Sequence, residues 1–275
     1  MTGNTAGGAG TGLDEKERQL KDQIAARGPM LIAFSGGVDS SLLAAVAREV
    51  LGDRCHAVLL ESPLIPPAEI REARETAAGL GIPLEVLPLP ALEEETIRRN
   101  PPDRCYHCRM LTARILKGRA RELGLAAVAD GTSASDLGEH RPGLRAATEE
   151  GILHPFVEAG LTKEDIRAIA LRRGHGFWNR PSAACLASRI PYGDELGIAK
   201  LRMVGDAEEL LHALGFGQVR VRLHGELARI EVMPGEMERL WRERERVLES
   251  LTEMGFTYVT VDLAGYRSGS MDEVL

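Results

Sequence analysis

The chain has 275 residues, 44% of them hydrophobic and 4% aromatic, enough apolar material for one large domain or two smaller ones. Its 34 basic residues against 41 acidic ones leave a net charge of -7. No global field therefore draws it to nucleic acid or membrane, and few rings are at hand to stack on bases. Residues 1–12 are rich in Gly and Thr and are expected to form a disordered tail. The apolar run from Met30 to Ala33 reads as a strand. It leads into Ser35-Gly36-Gly37, and a helix-forming run from Leu42 to Val50 follows. A helix start presents backbone N–H groups and the positive end of its dipole, a natural anion site. Gly36 and Gly37 let the backbone approach an anion closely, Ser35, Ser40 and Ser41 add hydroxyl donors, and Asp39 can hold Mg²⁺. A Walker-type phosphate loop needs a Lys near its end, and none lies here. The loop is thus suited to clamping the pyrophosphate end of ATP, not to driving transfer of the terminal phosphoryl group. The plainer reading is a Ser/Gly turn capping an ordinary helix. The strand and helix flanks favour the nucleotide loop.

The chain continues with a strand near His56 to Leu60, a helix from Pro67 to Leu80 and a strand from Pro83 to Leu87. A helix around Leu92 to Arg98 is broken by Asn100-Pro101-Pro102. A helix from Arg104 to Leu123 then leads to a strand, Ala126 to Ala129, which ends in Asp130-Gly131-Thr132. This alternation predicts an α/β fold with a parallel sheet and helices on both faces. Ligands of such sheets bind beyond the carboxyl ends of the strands. The Ser35-Gly36-Gly37 turn and Asp130-Gly131 are therefore expected to share one nucleotide cleft, although Asp130-Gly131 alone reads equally as a plain turn. Ser133 to His154 reads as loop and contains Arg141. Thr162 to Gly174 reads as a helix with Thr162 and Asp165 near the capping-box pattern.

After Gly193 the order changes: a helix over Ala199 to Leu214, strands over Gln218 to Leu223 and Ala228 to Val232, a helix from Pro234 to Met254 and a strand from Thr257 to Leu263. The expected organisation is a nucleotide-binding domain over residues 13–193 and a smaller α/β domain over 194–275. No apolar run reaches the length of a membrane span, and the start lacks the order of a signal peptide. A cytoplasmic protein with no membrane partner is expected.

Cysteines in such a compartment point toward metal or catalysis rather than structural disulfides. Cys55 lies in an apolar strand and reads as core. Cys105 and Cys108 form a C-x-x-C pair, and Cys185 stands alone in a loop. In the small domain, Arg220 and Arg222 alternate on one strand and share a face. With Arg267 and Ser268 from a glycine-flanked loop they would suit a phosphate or carboxylate. A solvated strand face with paired charges is the other reading, and Glu231 on the partner strand fits either one.

Together, S-G-G-V-D-S-S (35–41), N-P-P-D-R-C-Y-H-C (100–108), D-G-T (130–132), R-P-G (141–143), P-S-A-A-C-L-A-S-R-I-P-Y-G (181–193), V-R-V-R-L-H-G (219–225) and G-Y-R-S-G-S-M (265–271) resemble the LarE family, from about residue 14 to the end. The first motif is common to the ATP pyrophosphatases, which include GMP, asparagine and NAD synthetases and tRNA thiolases. C-L-A-S-R-I-P-Y-G and G-Y-R-S-G-S-M are far more specific. Arg180 departs from the pattern, since the family is expected to place Lys before the Pro. The charge is kept, but a point donor becomes a planar fork.

The resemblance implies a PP-loop fold and an ATP-dependent sulfur transferase of nickel-pincer nucleotide synthesis. ATP would adenylate a carboxylate of a pyridinium dicarboxylate mononucleotide, releasing pyrophosphate. A sulfur nucleophile would then displace AMP and leave a thiocarboxylate. Carried over by motif, Ser35, Gly36, Gly37, Asp39, Ser40, Ser41, Asp130, Gly131 and Arg141 would bind ATP with Mg²⁺. Arg220, Arg222, Glu231, Arg267 and Ser268 would bind the substrate, with Cys185 and Asp39 as the catalytic residues. One branch of the family spends a single cysteine, matching Cys185, as sulfur donor. The other holds a [4Fe-4S] cluster on three, matching Cys105, Cys108 and Cys185, and thiolates are the usual ligands of such clusters. A zinc site with His107 and three unrelated thiols stay open as alternatives. A tRNA thiolase would need a basic surface, which a charge of -7 does not advertise. A homo-oligomer acting on a small nucleotide, without nucleic acid as partner, is expected.

Overall fold

The structure, a computed structural model, describes residues 8–138, 142–181, 185–267 and 269. In chain order its elements are α1 (Gly8–Arg27), β1 (Met30–Ala33), α2 (Val38–Leu51), β2 (Cys55–Glu61), α3 (Pro67–Gly79), β3 (Leu84–Pro88), α4 (Glu95–Arg98), α5 (Arg104–Glu122), β4 (Ala127–Ala129), α6 (Pro142–Glu149), α7 (Pro155–Glu158), α8 (Lys163–Arg172), α9 (Ile198–Ala213), β5 (Val219–His224), β6 (Leu227–Val232), α10 (Met237–Arg242), α11 (Arg244–Glu253) and β7 (Tyr258–Val261). No helix among the described residues is long and apolar enough to cross a membrane.

Two compact units emerge. The first holds β1 to β4 in one parallel sheet of order β3-β2-β1-β4. Met30, Leu31 and Ile32 of β1 and Ala57, Val58 and Leu59 of β2 are buried, as both-sided burial of a parallel sheet demands. The chain steps one way from β1 to β3 and then crosses back to β4. Right-handed crossovers therefore place α2 and α3 on one face and α5 on the other. The strand order reverses between β1 and β4, and a ligand crevice opens at such a switch point.

The second unit gathers residues 62–66, 90–104 and 184–275. It is not a single cut near residue 193, because side-chain and backbone hydrogen bonds tie distant segments together. Asn100 Nδ2 donates to the carbonyls of Ile190 and Pro191 at 3.2 and 2.8 Å, and Leu186 N donates to Leu64 O at 2.8 Å. Its sheet has the order β5-β6-β7, with β5 and β6 an antiparallel hairpin and β7 parallel to β6. Val219, Val221 and Leu223 pair with Val232, Ile230 and Ala228 to make the apolar face of the hairpin. The opposite face carries Arg220 across from Glu231 and Arg222 across from Arg229.

Four local expectations change. Helix α1 begins at Gly8, inside the stretch expected to be a disordered tail, and buries Leu20 and Ile24. The helix expected over Leu92 to Arg98 shortens to α4. The stretch read as loop between Ser133 and His154 holds α6, which buries Ala146 and Ala147. The long helix expected after Pro234 is interrupted where Glu243 takes φ -86, ψ 4, a bridge-region geometry that ends α10 and starts α11.

Candidate functional site

In the first unit, β1 runs straight into the Ser35-Gly36-Gly37 loop and α2. Gly36 takes φ 76, a conformation that favours glycine, and a Cβ there would stand 2.6 Å from the Cα of Ala73 on α3. Gly37 is the N-cap of α2 in extended conformation and brings no side-chain acceptor to the first-turn N–H groups. Those groups stay directed at whatever anion enters the loop. The loop holds its shape internally. Ser40 Oγ accepts from Ser35 N at 3.1 Å and lies 3.0 Å from Ser35 Oγ, while Ser41 N donates to Gly37 O at 3.0 Å. Ser41 is fully buried, and its Oγ has no hydrogen-bond partner among the described residues.

Gly131 abuts this loop. A Cβ on Gly131 would lie 2.8 Å from the carbonyl carbon of Asp39 and 2.8 Å from Ser40 N. The two loops expected to share a cleft do meet at the β1/β4 switch point. Asp130 itself is engaged elsewhere. Its Oδ1 accepts from Thr132 N at 3.0 Å and from His154 Nδ1 at 2.8 Å, and its Oδ2 accepts from Arg109 Nη2. Burial pushes its carboxyl up, but the His154 hydrogen bond and the charges of Arg109 and His154 outweigh burial and bring it down to about 2. Asp130 thus braces the glycine that touches the loop.

Arg180, the departure from the expected Lys, reaches the loop. Its Nη1 donates to Gly36 O at 2.5 Å and to Thr76 Oγ1 at 3.1 Å, and its Nε lies 3.7 Å from Glu72 Oε2. Arg141 lies outside the described residues. Cys105 and Cys108 sit three residues apart on α5, one turn and one face. Cys105 is exposed and Cys108 half-buried. Arg109, the partner of Asp130, lies four residues beyond Cys105 on that face. Cys55 is buried in β2, where burial pushes its thiol up to about 11, as a core cysteine should behave.

In the second unit, Cys185 is exposed and its backbone is tightly held. Its carbonyl accepts from Ser188 N at 3.0 Å, Ser188 Oγ at 2.8 Å and Arg189 Nη1 at 3.3 Å. Arg189, 2% exposed, is gripped by both oxygens of Glu208 at 2.7 Å. Glu208 Oε1 also accepts from Val221 N at 2.9 Å. Arg104 joins the same region through Asn100 Oδ1 and the Ala187 carbonyl. Asn100, fully buried, holds φ 53, a strained position for a residue with a side chain.

Arg220 and Arg222 do share a face of β5, and both are buried. Arg222 binds Glu231 through Nε at 3.0 Å and Nη2 at 2.9 Å, and donates from Nη1 to Ser188 O at 2.7 Å. Arg229 also donates to Glu231, at 3.1 Å. Arg220, 7% exposed, has no carboxylate at ion-pair distance among the described residues. Its Nη1 donates to Val219 O at 2.7 Å, and its guanidinium lies 5.3 Å from the Tyr266 ring centre. Burial and the Arg189 charge push its pKa down. A buried cation in that state is poised for an anion. Arg267 is exposed, next to the half-buried Tyr266, and Ser268 lies outside the described residues.

Sequence alone leaves Asn100, Arg104, Arg189 and Glu208 without a role. One signal was present: Glu208 falls on the apolar stripe of α9 with Leu201, Val204 and Leu211. Within each unit, no three His, Cys, Asp or Glu side chains gather as a metal site among the described residues.

A parallel sheet with this Lys-free S-G-G-x-D-S loop at its switch point defines an ATP-using enzyme of the PP-loop class. The family profile described as asparagine synthase matches residues 14–99. The pyridinium-3,5-bisthiocarboxylic acid mononucleotide synthase of Lactiplantibacillus plantarum is 38% identical over 89% of this chain and 89% of its own length. An uncharacterized protein of Synechocystis is 38% identical over 96% of this chain and 99% of its own. Another, of Methanocaldococcus jannaschii, is 31% identical over 87% and 91%. The chain belongs to the LarE family, the family of that synthase.

Proposed function

We propose that the chain is an ATP-dependent sulfur transferase that converts a carboxylate of a pyridinium dicarboxylate mononucleotide into a thiocarboxylate. The observation that carries this reading is its kinship with the synthase named for a pyridinium bisthiocarboxylate mononucleotide. A carboxylate is a poor electrophile, so such a product requires activation first. The substrate carboxylate oxygen attacks the α-phosphorus of ATP, the bond to pyrophosphate breaks, and an acyl adenylate forms. A sulfur nucleophile then attacks the acyl carbon, and AMP leaves with the electron pair of the C–O bond.

The residues support each half. The α2 N-terminus, with Ser35, Gly36, Gly37, Ser40 and Ser41, takes the pyrophosphate end of ATP, and Asp39 in the first turn would hold Mg²⁺. Gly131 gives the loop its clearance, and Asp130 braces it. Arg220 meets the substrate phosphate, because its buried charge needs an anion. Arg222 and Glu231 hold that face in register, and Arg267 adds a second cation.

By the three-cysteine pattern of the family, Cys105, Cys108 and Cys185 would be the thiolate ligands of a [4Fe-4S] cluster, and three ligands would leave one iron open. When bound, the cluster would supply the sulfide. The chain's own part is to hold the Cys185 turn through Ser188 and Arg189.

The test is anaerobic purification, iron assay and a single turnover followed by mass measurement of the chain. Iron, pyrophosphate release that requires the mononucleotide, and an unchanged mass are expected. A colourless chain that loses the mass of H₂S at Cys185 would assign the sulfur to that residue. Pyrophosphate release that ignores the mononucleotide would sink the whole reading.

A further inference from the structure

Arg220, Arg222 and His224 occupy alternate positions of β5, so three polar side chains leave one face of the strand. The reading above uses the first two. His224 ends the row, and its cross-strand neighbour is Leu227, which offers it no side-chain hydrogen bond. Its Nε2 is buried without a hydrogen-bond partner among the described residues. Unmet buried polar atoms are costly and rare, and a ligand is one thing that meets them.

The charged groups around the ring are Arg222 on its own strand, Arg229 and Glu231 on β6, and Asp194 in the turn after Tyr192. Burial, then the two arginines, hold the imidazole below its ordinary range against the weaker pull of Asp194 and Glu231. This balance favours the neutral ring. It offers one N–H and one lone pair, the complement of a hydroxyl, whereas phosphate and carboxylate prefer the guanidinium groups beside it. The same face looks toward the segment that carries Cys185, since Arg222 donates to Ser188 O. Same-face neighbours lie about 7 Å apart along a strand, which puts Arg222 about 7 Å and Arg220 about 14 Å from His224, a span that the long Arg220 side chain and a nucleotide's phosphate-to-pentose reach cover together.

We infer that His224 is a substrate-positioning residue whose Nε2 hydrogen-bonds a pentose hydroxyl of the mononucleotide held by the arginines. The inference rests on the mononucleotide reading of Arg220 and Arg222. A ligand-variant cycle tests both separately. The pyridinium dicarboxylate mononucleotide and its dideoxy analogue, lacking both pentose hydroxyls, are titrated calorimetrically into wild type, His224→Ala and His224→Asn, with ATP binding as the folding control.

Wild type should lose about tenfold in affinity on removal of the hydroxyls, and His224→Ala should bind both ligands at that weaker level. If the variants fail to fold, the wild-type comparison still decides: no loss with the dideoxy ligand overturns the inference. A folded His224→Ala that still loses tenfold also overturns it, and leaves the mononucleotide reading standing. Wild type that binds neither ligand overturns both.

Discussion

Arg180 Nη1 donates to the carbonyl of Gly36 at 2.5 Å, so the turn of the ATP loop is held from outside by a guanidinium. The same nitrogen reaches Thr76, and Nε faces Glu72, both on α3. Gly36 also has Ala73 of α3 against it. The Gly36 peptide is thereby fixed with its oxygen turned to Arg180, which keeps that negative end away from incoming phosphate. Arg180→Ala should raise the KM for ATP in ATP–pyrophosphate exchange by about tenfold. Arg180→Lys should recover most of it, because one ammonium can still reach Gly36 O. An unchanged KM in the alanine variant would remove Arg180 from the loop's support.

Two neighbouring charges on one sheet face should respond in opposite ways. Arg220 is buried without a carboxylate partner among the described residues, so Arg220→Met removes a desolvation cost. Its stability in urea should hold or rise, while affinity for the mononucleotide falls on the order of 100-fold. Glu231 is fully buried and neutralises Arg222 and part of Arg229. Glu231→Gln leaves those cations short of charge and should cost about 3 kcal/mol or more. Equal destabilisation by both substitutions would mean that Arg220 is a structural cation.

What the sequence made legible was local or strictly periodic. The strands β1 to β4 stand within a residue or two of their expected places, because runs such as Met30 to Ala33 are too short and apolar for anything but a buried strand. The capping box closes as the pattern required, with Thr162 Oγ1 accepting from Asp165 N at 3.2 Å. The alternation of Arg220 and Arg222 likewise fixed their shared face. What stayed hidden depended on contacts between distant segments. Nothing in the spacing of Arg189 and Glu208 declares a buried pair. The brace formed by Arg109, Asp130 and His154 joins three separated stretches. Asn100 looked like the start of a helix-breaking Asn-Pro-Pro, yet it pins the carbonyls of Ile190 and Pro191.

The Arg189–Glu208 pair yields a third expectation. Glu208 grips the guanidinium with both oxygens and also holds Val221 N. Arg189 passes that order to the Cys185 carbonyl. Glu208→Gln should cost about 3 to 5 kcal/mol, since it leaves a buried cation underpaired. Alkylation of Cys185 by iodoacetamide, followed by peptide mass, should quicken as the turn loosens, while Cys105 keeps its rate. No change at Cys185 would confine Glu208 to a purely structural part.

The last expectation concerns acid. The carboxyl of Asp130 stands at about 2 in the folded chain against an ordinary 3.8. A carboxyl lowered on folding stabilises the fold above its ordinary pKa and loses that contribution as pH falls through the folded value. The gap is worth about 2 kcal/mol at neutral pH. Asp130→Asn should therefore lower stability by about that much at pH 7, through lost charge opposite Arg109 and His154. The difference between wild type and variant should stay constant down to about pH 5 and shrink to roughly half near pH 3. Urea unfolding of both proteins across that range checks it. A difference that is flat to pH 3 would mean that Asp130 acts through its hydrogen bonds alone, and that its charge contributes nothing to bracing Gly131 against the ATP loop.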